Sequence, residues 1–215
     1  MSNESTADVP EWLWRTARRG FVAVVLAIAA VALAVALGVA DPKPHGTLQW
    51  EDHFADAVGR WQTFGGATQA PGGLTVSLGQ TGEVGGAVAQ GDPVAPFTFE
   101  AAGFQSAGVA GAAYGIVFGY RSATEYAAVL LNNNGYVEVV TAAGKGWMPL
   151  QQWPNILLEA EANRLRVDVA GGVGLIRIND EVLMRVPVGG GAVGVLARAS
   201  AAGQTVRFDW ARLWR

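Results

Sequence analysis

The stretch NRLRVDVAGGVGLIRINDEVLMRV, residues 163–186, decides the fold of this chain. From Arg164 to Val169 polar and apolar residues alternate strictly, as a half-buried antiparallel strand requires. The pairs Gly171-Gly172 and Asn179-Asp180 tolerate positive φ, so each predicts a reversal of the chain. The stretch therefore predicts three antiparallel strands, at Arg164–Val169, Gly174–Ile178 and Glu181–Val186.

The same strand-and-turn pattern continues on both sides of this stretch. The sequence NNNG, residues 132–135, marks another hairpin between strands predicted at Glu125–Leu131 and Tyr136–Thr141. The remaining predicted strands are Thr47–Trp50, Leu74–Leu78, Val84–Gln90, Phe97–Phe104, Ala113–Arg121, Ala192–Arg198 and Thr205–Leu213. About eleven or twelve short strands with glycine-rich turns predict an all-β, two-sheet antiparallel sandwich. The sequence shows no repeat of about 20 to 50 residues, which argues against a propeller or solenoid.

An apolar stretch without charged residues, Gly20–Ala40, precedes the strands. As a helix it is about 30 Å long, enough to cross the hydrocarbon core of a bilayer. Arginines cluster on its N-terminal side, which predicts a cytoplasmic N-terminus and a sandwich outside the cytoplasm. Tryptophans also lie there, where aromatic rings favour the headgroup level. The predicted membrane-interface residues are Trp12, Trp14, Arg15, Arg18 and Arg19.

These features divide the chain into four parts. Residues 1–19 form a cytoplasmic tail with an interfacial segment, and residues 20–40 form a transmembrane helix. Residues 41–46, with Pro42 and Pro44, form a short stiff linker. Residues 47–215 form the sandwich, so we expect a single-pass protein of the cytoplasmic membrane.

A cleaved signal peptide is the alternative to a retained anchor. Gly38-Val39-Ala40 resembles a small-x-small cleavage site. The leader before the apolar stretch is long and carries Glu4, Asp8 and Glu11. The apolar stretch is also longer than the apolar region of a signal peptide, which has about 7 to 15 residues. Both observations favour an anchor that stays in the membrane.

Small residues recur at four-residue spacing within the apolar stretch, at Ala30, Ala34 and Gly38. Such a stripe lets another helix approach closely, so it predicts packing against an integral-membrane protein partner. The alternative is that the stripe has no role, because alanine fills the whole stretch and a match at this spacing arises easily.

Composition excludes several classes of function. The net charge of −3 gives no basic field, so no nucleic-acid partner is predicted. The absence of cysteine excludes disulfides, thiolate zinc sites and cysteine nucleophiles. His45 and His53 have no recognisable catalytic partner, and no phosphate-binding loop occurs. We therefore predict no metal, no cofactor and no enzymatic activity.

The order of several motifs is similar to that of a known fold family. The segment EDHFAD (51–56) with GRW (59–61) resembles the opening of bacterial concanavalin-like, laminin-G-like domains. The segments AYGIVFGYR (113–121) and RFDW (207–210) resemble later strands of that family, which includes the domain called 3-keto-disaccharide hydrolase. The resemblance implies a jelly roll whose concave sheet binds glycans. The glucanase-type E-x-D-x-x-E strand of the family is absent here, so the resemblance supports the fold better than an activity.

Aromatic residues are the candidate glycan-binding site. Aromatic rings offer a large apolar face to sugar rings, and an arginine can orient the ligand. The alternative is that these rings fill the core, because Tyr114, Ile116, Phe118 and Tyr120 share one face of the predicted strand. The candidate residues are Tyr120, Arg121, Tyr126, Tyr136 and Trp147.

Carboxylates suggest two weaker alternatives. Glu125 and Glu138 lie on neighbouring strands of the predicted NNNG hairpin, and two close carboxylates are what glycoside hydrolysis needs. Asp52, Asp56 and Asp209 would form an oxygen-rich calcium site if the first and last strands pair. Ordinary solvent exposure and turn capping are the competing explanations.

Low charge and the membrane stretch together determine the leading functional prediction. Only 15% of the residues are charged, against about a quarter in ordinary soluble domains. A surface covered by a partner would explain this, although a codon bias toward Ala, Gly and Val would as well. We predict a non-catalytic accessory or scaffolding subunit of a membrane complex. The alternatives are a cell-surface glycan-binding module and, less favoured, an anchored hydrolase of glycosides or keto-sugars.

Overall fold

The computed structural model describes residues 10–36, 39, 42–55, 59–142, 146–158 and 161–215. The chain divides into two compact units, Met1–Lys43 and Pro44–Arg215. In the first unit the described residues contain one helix, α1 (Glu11–Ala36). The second unit, which we call the sandwich, contains the strands.

Helix α1 is continuous from the predicted interfacial segment into the apolar stretch. It begins after Pro10, whose carbonyl accepts a hydrogen bond from the Leu13 N–H at 3.0 Å, and proline favours the start of a helix. Its window Trp12–Val35 has a mean hydropathy of 2.1, and none of that window is buried. This helix is long and apolar enough to cross a membrane, and signal sequences share these properties. Gly38 and Ala40 lie outside the described residues.

The described residues of the sandwich contain fifteen strands. They are β1 (Leu48–Asp52), β2 (Trp61–Phe64), β3 (Ala67–Ala70), β4 (Gly73–Leu78), β5 (Val84–Ala89), β6 (Phe97–Ala107), β7 (Ala113–Ser122), β8 (Glu125–Leu131), β9 (Tyr136–Thr141), β10 (Gly146–Gln152), β11 (Asn163–Ala170), β12 (Val173–Ile178), β13 (Glu181–Pro187), β14 (Ala192–Arg198) and β15 (Gln204–Trp214).

The strands form two antiparallel sheets. The eight-stranded sheet has the order β13-β12-β11-β6-β15-β4-β3, with β1 paired to β15. The seven-stranded sheet has the order β10-β9-β8-β7-β14-β5-β2. Most strands that follow each other in the sequence therefore lie in different sheets. The predicted all-β, two-sheet antiparallel sandwich is confirmed.

Three strands lie outside the sequence prediction: β2, β3 and β10. Strands β2 and β3 are only four residues each, too short to show a period in the sequence. Strand β10 contains Pro149, which cannot donate a ladder hydrogen bond, and its register against β9 shifts twice. Proline is tolerated there because β10 is the last strand of its sheet in the described chain.

The core fills the space between the sheets, and β7 is the middle strand of the seven-stranded sheet. Its inward side chains Tyr114, Ile116 and Phe118 are fully buried. The Tyr114 hydroxyl accepts a hydrogen bond from Asn163 Nδ2 at 2.9 Å, across the two sheets. Burial raises the pKa of Tyr114 to about 12, so this phenol is neutral in the folded protein.

Candidate functional site

The face of the seven-stranded sheet that points away from the core, here called the outer face, carries a second apolar cluster. Regular alternation directs Val117 of β7, Ala128 and Leu130 of β8, and Leu196 of β14 to this side. Their side chains are fully buried although they lie outside the main core. The rings that cover them are therefore part of a built surface, and not chance exposures.

A β-bulge at Gly119 brings Tyr120 to the outer face. Against β14, Val117 pairs with Gly194 whereas Tyr120 pairs with Ala192, so β7 has one residue more than β14 over this interval. Gly119 has φ +61, a backbone conformation that L side chains rarely adopt. The bulge reverses the alternation, and Tyr120 packs against the outer cluster.

The sequence prediction of one shared face is thus wrong for Tyr120. The alternation holds for Tyr114, Ile116 and Phe118, which are in the core. It fails at the next residue because a bulge shifts every following side chain by one position. The core-filling alternative is correct for three of these residues and incorrect for the fourth.

Three aromatic rings lie nearly parallel on the outer face, and we call them the aromatic platform: Phe64, Tyr120 and Tyr126. The ring centroids of Phe64 and Tyr120 are 6.5 Å apart with an interplanar angle of 17°. Those of Tyr120 and Tyr126 are 5.9 Å apart at 22°. Tyr120 is therefore the central ring, with a neighbour on each side.

Glycine clears the space between β2 and β7, which are separated by β5 and β14. Gly86 pairs with Phe64, and Gly194 pairs with Val117. A Cβ atom added at Gly194 would lie 2.3 Å from the Ala87 carbonyl oxygen, so the backbones approach too closely for any side chain. Glycine at these positions leaves room for the rings of Phe64 and Tyr120 to approach each other across these strands.

The platform tyrosines are half-buried and polar at one end. Burial raises the pKa of Tyr126, and the charge of Arg198 opposes this shift. The Tyr126 phenol therefore stays protonated at neutral pH and can donate its O–H to a ligand.

A polar cleft of about 430 Å³ lies on the same sheet. Arg198 forms a close ion pair with Glu138 there, with side chains 41% and 13% exposed. Asn132, Asn134 and Ser200 also line the cleft. This arrangement offers amides, a hydroxyl and a neutralised ion pair, which suit a ligand with many hydroxyl groups.

The carboxylates of Glu125 and Glu138 are not brought together. Glu138 lies on the outer face, opposite Leu130 of β8. Glu125 precedes Leu130 by five positions on the same strand, so alternation directs its side chain away from the outer face. Glu125 instead pairs with Arg121 at 2.6 Å. These two residues therefore do not form the close pair that glycoside hydrolysis needs.

The remaining predicted glycan-binding residues lie elsewhere. Arg121 and Trp147 line a smaller cleft of about 260 Å³, which Tyr126 also lines. Arg121 also donates to the Gly190 carbonyl at 3.1 Å. Tyr136 lies at the opposite end of the β8–β9 hairpin, where its N–H donates to Asn132 Oδ1. Of the five candidates, Tyr120 and Tyr126 share the platform, and Tyr126 shares the smaller cleft with Arg121 and Trp147.

The two described aspartates of the predicted calcium site, Asp52 and Asp209, are each bonded to other groups of the chain. Strands β1 and β15 pair as the calcium hypothesis requires. However, Asp52 accepts hydrogen bonds from the Phe54 N–H at 2.7 Å and Trp61 Nε1 at 3.0 Å. Asp209 pairs with Arg207 at 2.9 Å, and Asp56 lies outside the described residues. The Asp52 oxygens are thus occupied by donors of the chain itself.

Comparison with known proteins shows the fold. The carbohydrate-binding module CBM66 from Bacillus subtilis superposes with a TM-score of 0.54 at 14% identity, covering 69% of this chain and 91% of that chain. The VIP36 exoplasmic/lumenal domain, solved in a Ca²⁺/Man3GlcNAc-bound form, gives 0.60 at 8% identity, covering 78% and 90%. The sandwich is a concanavalin-like jelly roll. The Bacillus licheniformis β-glucanase gives 0.59 at 10% identity, covering 79% and 99%.

The solved structures with this fold thus include both binding modules and enzymes. No family model and no curated protein matches the chain. At these identities the likeness establishes the architecture alone, and function has to be argued from the outer face of this chain.

One platform residue, Phe64, is absent from the sequence-based candidates. Phe64 lies 56 positions before Tyr120 in the sequence. Its strand, β2, is too short to be predicted from the sequence. The only sequence signal for Phe64 is its spacing from Trp61. Two residues three positions apart on one strand have their side chains on opposite faces, and the structure places the two rings in this way.

Proposed function

We propose that this protein is a non-catalytic glycan-binding module held at a membrane surface by helix α1. The observation that carries this proposal is the aromatic platform on the outer face of the seven-stranded sheet. Three near-parallel rings, built over a buried floor and completed by a glycine bulge, form a preorganised apolar surface.

The chemistry of the platform suits sugars. A sugar ring has an apolar C–H face and a polar edge, so it packs on an aromatic ring while its hydroxyls bond to polar groups nearby. Tyr120 and Tyr126 offer both a ring and a hydroxyl. The platform extends over three rings, so we expect it to bind consecutive sugar units of one chain.

Carbohydrate-binding modules and lectins among the solved structures with this fold support the same proposal. They favour glycan binding over the accessory-subunit prediction, for which the comparisons give no support. The half-buried aromatic surface also gives the weakly charged sandwich a binding site for a ligand that does not need charge.

The membrane part of the proposal depends on α1. Its apolar window is long enough to span a bilayer, and Arg15, Arg18 and Arg19 lie at its N-terminal end. We propose a retained anchor with the N-terminus in the cytoplasm and the sandwich outside it. Packing of α1 on an integral-membrane partner through Ala30 and Ala34 is a further possibility that this proposal does not need.

The proposal is tested with the fragment Pro44–Arg215 on a glycan array. This fragment retains the complete core, whose residues all lie between Phe54 and Ala211, so it can fold without α1. We expect binding that Tyr120→Ala and Tyr126→Ala each abolish.

The matched control is Tyr136→Ala, which removes an exposed tyrosine from the same sheet but outside the platform. We expect it to bind as the unchanged fragment does. Neither the unchanged fragment nor Glu138→Gln is expected to cleave the bound glycan. Array binding that persists in both platform variants would refute the proposed site, and cleavage lost in Glu138→Gln would refute a non-catalytic role.

A further inference from the structure

A third cleft, of about 370 Å³, lies at the point where the chain enters the sandwich. His45 and Gly46 form one side of it. The other side belongs to the eight-stranded sheet, with Val173 and Leu175 of β12 as part of an apolar wall. We call it the cationic cleft after Arg185 and Arg215, which both line it. It is formed by the sheet opposite to the aromatic platform.

The arginines of this cleft differ from the other arginines of the sandwich. Eight of the ten arginines after Pro44 have a carboxylate oxygen within 3.5 Å. Among the described arginines of the sandwich, Arg185 and Arg215 alone have no such partner, and both line the cationic cleft. The two described arginines of the sandwich that lack a carboxylate partner therefore lie at one place.

The single side-chain carboxylate of the cleft is already neutralised. Asp168 accepts a hydrogen bond from Thr98 Oγ1 at 2.7 Å. It also lies 3.3 Å from Arg177 Nε and 3.5 Å from Arg166 Nε. Asp168 therefore does not compensate Arg185, and the side chains that line the cleft carry an excess of positive charge although the whole chain has a net charge of −3.

We propose that the cationic cleft binds the phosphate of an anionic phospholipid headgroup. This inference rests on the membrane part of the proposed function and not on glycan binding. His45 follows the last helical residue, Ala36, by nine positions, and nine residues of extended chain span at most about 30 Å. A bilayer that holds α1 is thus within reach of the cleft, and its apolar wall suits the glycerol and upper acyl region beside the phosphate.

The test measures co-sedimentation of the fragment Pro44–Arg215 with vesicles. One set contains phosphatidylcholine alone, and the other contains phosphatidylcholine mixed with phosphatidylglycerol. We expect binding to the mixed vesicles only, weakened about fivefold by Arg185→Gln and by Arg215→Gln, since one arginine near an anionic surface contributes that much.

Two control variants separate lipid binding at the cleft from attraction by overall charge and from glycan binding. Arg164→Gln makes the same change of net charge on the same sheet, at an arginine paired with Asp180, and is expected to bind normally. Tyr120→Ala removes glycan binding but is expected to keep vesicle binding, so the two proposals fail independently.

Four results would overturn the lipid assignment. Equal binding to both vesicle types would indicate apolar insertion, and an equal loss in Arg164→Gln would indicate attraction by overall charge. Competition by millimolar inorganic phosphate would identify a site for free phosphate. Absence of binding to the mixed vesicles would leave the cleft without the proposed ligand.

Discussion

Substitution of Gly119 by alanine tests the bulge that turns Tyr120 to the outer face. A Cβ atom at this position would have the Gly189 carbonyl oxygen as its nearest neighbour, at 3.5 Å, which is an ordinary contact. Steric overlap is therefore negligible, and the cost comes from φ +61. An L residue in the left-handed region costs about 1 to 2 kcal/mol.

The expected loss is measurable as a shift of the melting temperature. For a domain of the size of Pro44–Arg215, 1 kcal/mol corresponds to about 2 to 4 °C. Gly119→Ala is therefore expected to lower the Tm of the fragment by about 2 to 8 °C in thermal unfolding followed by circular dichroism. Gly119→Asn is expected to lose less, because asparagine tolerates the left-handed region better than alanine.

The matched control is Gly189→Ala, in the loop that faces the bulge. Gly189 is outside the left-handed region, and a Cβ atom there would have only Arg121 Nη2 nearby, at 3.9 Å. We expect no loss of stability in this variant. If Gly119→Ala unfolds at the same temperature as Gly189→Ala, the backbone at residue 119 does not require glycine and the explanation of the platform is wrong.

Three further variants test the interior. Asn163→Ala leaves the Tyr114 hydroxyl without its donor and is expected to cost about 3 kcal/mol in chemical denaturation; a loss equal to that of an exposed Asn134→Ala would contradict this. Asp52→Ala removes the acceptor of Trp61 Nε1 and is expected to lower the free energy of unfolding by about 2 kcal/mol. The control is Asp92→Ala, at an exposed aspartate, and equal losses in the two variants would show that the hydrogen bond contributes nothing. Burial raises the pKa of Glu100, so folding favours its protonated form, and the stability of the unchanged fragment should fall relative to Glu100→Gln as the pH rises above 4.5. A difference in unfolding free energy that is independent of pH would contradict this assignment.

The strands could be predicted where local patterns determine them. Glu125–Leu131, Tyr136–Thr141 and Ala192–Arg198 have the predicted bounds, because alternation or turn residues mark each of their ends. Strand β10 could not be predicted, since Pro149 and two register shifts remove the strand pattern. Such a strand is recognisable only from the partner that it pairs with.

The platform was only partly predictable for a related reason. The sequence shows that Tyr120 and Tyr126 are aromatic and close along the chain, but regular alternation assigns Tyr120 to the core. Only the pairing of β7 with β14 reveals the extra residue at Gly119. The position of Phe64 depends on the order of the sheet, which places β2 three strands from β7.

The most direct test of the central claim is a titration of the fragment Pro44–Arg215 with an oligosaccharide selected on the array, followed by NMR. We predict that the ring signals of Phe64, Tyr120 and Tyr126 shift together and saturate with one affinity. Saturable shifts confined to the cleft at Trp147, or to the cationic cleft at His45, would show that glycans bind elsewhere and would contradict the account.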